Sequence, residues 1–259
     1  MIDLENSKRL FERYVKQYDI TNFKIKLKHD HTFRVMKFCG EIAQSLGLDM
    51  EDCAIAELIG LLHDIGRFEQ LKRYDTFHDL ASVDHALLGV ELLKTVHPIE
   101  KYTEDVEIQK IILTAIEQHN KLKIEDGLDQ RTLLFCKIIR DADKLDILDL
   151  YQLGELKIES DLGTISDACY QQFLSAKSIN RSVVKTEMDH VLLIASFLFD
   201  VHFQYSIHYI KEHHSIVWIL DQLIQYHKEQ FLKLQELKKF TLEFLEKRGN
   251  EYVRYKIQL

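Results

Sequence analysis

Apolar residues recur every three or four positions along nearly the whole chain, the pattern of helices that bury one face. The spacing predicts a first helix over 8–18 and a second over 24–46, stopped by Gly47. Asp49 reads as the N-cap of a third helix that ends near His63-Asp64. The segment 67–82, RFEQLKRYDTFHDLAS, is less periodic and reads as a short helical turn mixed with loop. Ser82 or Asp84 can cap a fourth helix that runs to about Val96, and Pro98 marks the break. Two more are expected over 104–118 and 131–150, separated by the polar loop NKLKIEDGLD. The last third reads as three helices, over 166–177, 187–212 and 215–247, with 153–164 as the one linker-like stretch.

Several of these stripes carry polar residues where packing points inward. His31 lies between Leu27 and Val35 on the stripe that continues through Phe38 and Ile42. His63 shares a face with Ala56 and Ile59, and His85 heads the row Leu88, Gly89, Leu92, Val96. His119 follows Ile108, Ile111, Ile112, Ala115 and Ile116, while Asp143 sits among Cys136, Ile139, Ile147 and Leu150. A single inward histidine is usually a satisfied core residue. A buried carboxylate must be paired or metal-bound. Four inward histidines with two aspartates, brought by separate helices, suit a divalent transition ion held in a bundle core.

Composition narrows the class. Nine Gly and one Pro in 259 residues are few for a sheet protein, so the fold is expected to be all-α. A net charge of −8 argues against nucleic acid or an anionic membrane as partner, since both are bound through clustered Lys and Arg. The longest apolar run, 191–199, is far shorter than a membrane span. The first fifteen residues, MIDLENSKRLFERYV, are charged and lack the apolar core of a signal peptide. Cys39, Cys53, Cys136 and Cys169 form no C-x-x-C pair and read as reduced thiols. A cytoplasmic location follows as an expectation.

Three segments then carry a resemblance. His31-Thr-Phe-Arg34-Val35, His63-Asp64-Ile65-Gly66 and Ala142-Asp143-Lys144-Leu145-Asp146 resemble the HD superfamily of metal-dependent phosphohydrolases. The resemblance implies a helical bundle over 24–150, with an N-terminal helix (1–23) packed on it and a helical C-terminal extension (151–259). It implies a first ion held by His31, His63, Asp64 and Asp143. Asp141 competes with Asp143 on periodicity, and the ADKLD context favours Asp143. Members with two ions add two histidines, and His85 and His119 stand in those places, with Asp64 then bridging. The chain would leave the His63-Asp64 pair at Gly66. The ions implied are one or two of Fe, Mn, Zn, Ni or Co.

The chemistry implied is hydrolysis of a nucleotide or other small phosphoester by metal-activated water. Asp64 and Arg67 are the expected catalytic pair, because Arg67 follows HDIG where relatives direct a cation at phosphate. Arg34 and Lys144 are further candidates for binding the phosphorylated substrate. A structural salt bridge is the competing role for each of these cations. The same six-ligand set also serves di-iron HD oxygenases, and a non-catalytic nucleotide-binding module is the remaining alternative. His78 and His97 read as surface residues. The segment with His213-His214 reads as a packed amphipathic helix pair, and the mixed charges of the last helix suit a solvated face or a homodimer contact.

Overall fold

Most helices begin where a short polar side chain accepts the first unpaired backbone N–H groups, which stabilises each start by about 1 kcal/mol. The computed structural model describes residues 2–159 and 161–257, with side chains through residue 249. One position of the expected 153–164 linker and the last two of the expected extension lie outside the described residues. Asp3 caps α1 (Leu4–Val15), Asn22 caps α2 (Phe23–Ser45) and Asp49 caps α3 (Met50–Leu62). α4 (Ile65–Tyr74) follows after only two residues. Asp84 caps α5 (His85–Lys94) and Asp105 caps α6 (Val106–Gln118). α7 covers Gln130–Asp149. Then come α8 (Asp167–Leu174), α9 (Glu187–Ala195), α10 (Gln204–His213), α11 (Ser215–Tyr226) and α12 (Phe231–Ile257). No strand occurs among the described residues, so the fold is all-α.

The chain divides into two compact units, Met1–Asp143 and Lys144–Leu259, with the boundary inside α7. In the first unit α2 lies along α3, α3 along α6, and α4 and α5 pack as neighbours. Gly47, at φ +71°, ends α2 in the left-handed turn that an L side chain resists. α1 rests on this group: fully buried Phe11 meets Phe68 and Phe33 edge-on at 5.8 Å. The Tyr14 hydroxyl donates to the Ile65 carbonyl at 3.1 Å, tying α1 to the first turn of α4. In the second unit α12 packs on α8, α10 and α11.

Four expectations from the sequence change. The 67–82 segment holds most of a regular helix, α4, whose buried row is Ile65, Phe68 and Leu71. The row is hard to read because Gln70, also fully buried, is polar. The expected 187–212 helix breaks into α9 and α10. Ser196, at the end of α9, turns its hydroxyl back to the Leu193 carbonyl and accepts the Ile179 N–H, and a 3₁₀ stretch follows. The 215–247 helix breaks at His227, which leaves helical geometry at φ −122°, ψ 67°. Val96 falls outside α5 and is exposed.

His97 is also corrected. It is buried, and its Nε2 pairs with the Tyr102 hydroxyl at 2.5 Å beside the Tyr14 ring. Burial, helped by Lys101, lowers its pKa to about 4. Loop position misleads here because Pro98 and the following 3₁₀ turn fold the segment back over the core.

Candidate metal centre

Helix ends, rather than helix middles, aim most of the histidines. His63 is the first residue past α3 and His119 the first past α6. Each turns its Nδ1–H back onto an orphan carbonyl three residues earlier, Gly60 at 2.7 Å and Ile116 at 2.6 Å. A carbonyl only accepts, so Nδ1 carries the hydrogen and Nε2 presents its lone pair. His85, the first residue of α5, fixes the same tautomer differently, with Nδ1 at 2.7 Å from Asp79 Oδ2. The Arg140 guanidinium, buried under the end of α6, donates to the carbonyls of Gln118 (3.2 Å), His119 (3.3 Å) and Lys121. It holds the turn that carries His119.

Four imidazole Nε2 atoms converge on one carboxylate. Asp64 Oδ2 lies 3.5 Å from His31 Nε2 and 3.7 Å from His63 Nε2. Asp64 Oδ1 lies 3.4 Å from His85 Nε2 and 3.8 Å from His119 Nε2. Within the pairs, His31 Nε2 and His63 Nε2 are 3.3 Å apart, and His85 Nε2 and His119 Nε2 are 3.0 Å apart. Asp143 joins the first pair, its Oδ1 at 3.2 Å from His31 Nε2 and 3.7 Å from His63 Nε2. His31, His63, Asp64, His85 and His119 are all buried.

The donor set fits divalent ions. The Nε2 lone pairs of His85 and His119, facing each other at 3.0 Å, repel unless a cation or proton lies between them. Burial lowers the pKa of His63, and burial with Arg67 nearby takes His85 to about 4, so a second ring proton is disfavoured. N and O donors about 2.1 Å from one ion sit about 3.0 Å apart in an octahedron and about 3.4 Å apart in a tetrahedron. The observed separations span those edges. His31, His63 and Asp64 form one group able to hold an ion, and Asp64, His85 and His119 a second. A third grouping of Asp79, Asp84 and His85 is occupied with structure. There Asp79 accepts from His85, and Asp84 caps α5 while binding Asn120 and Lys121.

Residues 29–148 match the family of HD domains. The chain carries an HD domain. Within it, a 97-residue stretch is 37% identical to Ribonuclease Y of Mycoplasma mycoides subsp. mycoides SC, covering 38% of this chain and 15% of that protein. Ribonuclease Y of Mycoplasma capricolum subsp. capricolum is 36% identical over the same length and shares. Ribonuclease Y 1 of Pediococcus pentosaceus is 32% identical over 100 residues, covering 36% of this chain and 17% of its own. The chain thus spans less than a fifth of the length of these curated relatives. No solved structure matches significantly.

The carboxylates of the HD domain stay ionised against burial. Burial works against Asp64, yet the Lys28 ammonium beside it holds its carboxyl well below the usual range. The same opposition holds at Asp143, whose carboxyl stays well below the usual range beside His31. Asp79 is also held low, by His85 first and then Arg67 and Gln70.

The cations divide. Arg67 lies at the site, with Nε 3.6 Å from Asp64 Oδ1. Its Nη1 donates to Asp79 Oδ1 (2.8 Å), Gln70 Oε1 (2.9 Å) and the Phe77 carbonyl (2.6 Å). Lys144 pairs with Asp200 at 2.9 Å. Arg34 is half-buried on α2, one turn past His31. Asp143, the residue favoured by the ADKLD context, has its carboxylate among the imidazoles. Sequence reasoning missed Lys28, Gln70, Asp79 and Arg140. Lys28, three residues before His31, had the spacing to be found.

Proposed function

We propose that this HD domain is a metal-dependent phosphohydrolase acting on a nucleotide or another small phosphoester. One observation carries the reading: a single ionised carboxylate, Asp64, whose two oxygens each face a separate pair of imidazole Nε2 atoms. In this reading His31, His63, Asp64 and Asp143 hold one ion, and Asp64, His85 and His119 hold a second. Divalent ions there supply Lewis acidity and lower the pKa of water toward neutrality. The chain's own part is to fix lone-pair directions before anything binds. Gly60 and Ile116 carbonyls orient His63 and His119, and Asp79 takes the far proton of His85. Arg67 braces Asp79 and adds positive charge beside Asp64, where charge on phosphoryl oxygens would be met.

A second reading has its own support. The matched relatives are named as ribonucleases, so an RNA phosphodiester belongs in the test. The net charge of −8 favours the small phosphoester, because RNA backbones are bound through clustered cations. Metal analysis of the purified chain should find about two divalent ions per chain, as an occupied two-ion site requires. A panel of nucleoside monophosphates, a synthetic monoester, a synthetic diester and a single-stranded oligoribonucleotide then separates the substrates. Turnover of small esters with no cleavage of the oligomer fits the proposal. Cleavage of the oligomer alone moves it to RNA, and oxygen uptake by an iron-loaded protein that hydrolyses nothing sinks it.

A further inference from the structure

We infer that Lys28 is the cation that binds the phosphoryl oxygens of the substrate, an assignment that rests on the phosphohydrolase reading. Lys28 lies on α2 one turn before His31, so the helix sends both side chains to one side. Its Nζ is 2.7 Å from Asp64 Oδ2, the oxygen facing His31 and His63. The side chain is 17% exposed, against 3% for that of Asp64, so the ammonium stands at the solvent edge of a buried carboxylate.

Lys28 and Arg67 offer different things. Arg67 Nη1 is fixed by three protein acceptors, two of them on the 75–84 connection between α4 and α5. The Lys28 ammonium has three hydrogens, and Asp64 is its one hydrogen-bond partner among the described residues. It is a point charge on a flexible stem, able to change partner without disturbing the fold. When Asp64 gives its charge to ions, its hold on Lys28 weakens. The ammonium then stands beside an electropositive cluster, an arrangement that calls for an anion between them. The Phe77 ring lies 5.7 Å from both Lys28 Nζ and Arg67 Cζ, one aromatic wall against two cations. The ligand class is a phosphate or phosphomonoester, met by Lys28 on one side and the ion cluster on the other.

The test uses the full chain loaded with manganese and inorganic phosphate as the probe. Bound ions are counted by mass spectrometry and phosphate affinity is read by calorimetry. Lys28→Met should keep the wild-type ion count and weaken phosphate binding roughly 10- to 100-fold, the range for one charge-assisted hydrogen bond. Lys28→Arg should recover part of the affinity, and Lys28→Gln should match Lys28→Met. Lys28→Gln also decides the matter if the methionine variant fails to fold. Phosphate affinity within twofold of wild type at an unchanged ion count overturns the assignment. Loss of ions in both neutral variants also overturns it, since Lys28 would then serve Asp64. A wild-type chain that holds its ions but binds no phosphate brings down the phosphohydrolase reading itself, a different result from either.

Discussion

Asp79 reaches the six-residue cluster through His85, and it decides what His85 can do. Its Oδ2 takes the Nδ1 hydrogen at 2.7 Å, while Arg67 and Gln70 grip its Oδ1 at 2.8 and 2.9 Å. Such a carboxylate sets the tautomer and raises the basicity of Nε2. Asp79→Asn should therefore weaken the ion on the His85–His119 side by roughly 10- to 100-fold. The ion on the His31–His63 side should be retained. A competition titration with a chelator resolves the two, and equal affinities in variant and wild type would remove Asp79 from the site. The contrast with Asp143 shows what a sequence can reveal at this scale. Asp143 interrupts an apolar stripe, so helical periodicity exposes it. Asp79 lies in a connection with no period, and its role exists only through a contact made in three dimensions. Lys28 has the spacing, three residues before His31, but it stands among the polar neighbours Lys26, His29 and Asp30, where a charged residue looks ordinary.

Among elements, the decisive contact is the crossing of α4 and α5. Gly66 does not release the chain after His63-Asp64, as the sequence suggested; it lies within the first turn of α4. A Cβ there would come 2.2 Å from the His85 carbonyl oxygen and 2.7 Å from Gly89 N. Both are backbone atoms and cannot swing aside. Gly66→Ala must push the helices apart, at a cost of about 1–3 kcal/mol. Because His85 starts α5, its imidazole moves with the helix. The expected outcome is a lower melting temperature together with weaker ion binding on the His85 side. A variant that melts like wild type and keeps both ions would show that the crossing has slack. The helices themselves were legible wherever apolar spacing ran unbroken, as in α2, α3 and α6. They were misread where a polar residue faces inward, as Gln70 does in α4, or where a side chain competes for backbone groups, as Ser196 does after α9.

For the whole molecule, the relevant fact is how far apart along the chain the cluster is assembled. His31 comes from α2 and Asp143 from α7, at opposite ends of the Met1–Asp143 unit. The site exists only when that unit is folded. Ions that bind the folded chain alone stabilise it by RT ln(1 + [L]/Kd), about 2.7 kcal/mol at a hundredfold excess over Kd. Exhaustive chelation should therefore lower the melting temperature by several degrees, and restored manganese should return it. An identical melting curve with and without ions would mean that the cluster holds none. The all-α class was readable from composition and spacing, and the HD domain from three short motifs. The division of the chain inside α7 was not, because the helical pattern runs through Asp143 and Lys144 without a break.

Asp64 stands where α3 gives way to α4, with one oxygen turned to each histidine pair. That makes occupancy of the two halves interdependent. With ions in both halves, Asp64 would offer the first a full negative charge and the second a carboxylate already shared with a nearby cation. Loading of both halves would then be ordered, tight and then weak, with a half-filled species across a range of free metal. If the proposed hydrolysis needs both ions, activity plotted against free metal should rise only after the first equivalent is bound, a threshold response that a simple hyperbolic rise from the first equivalent would rule out.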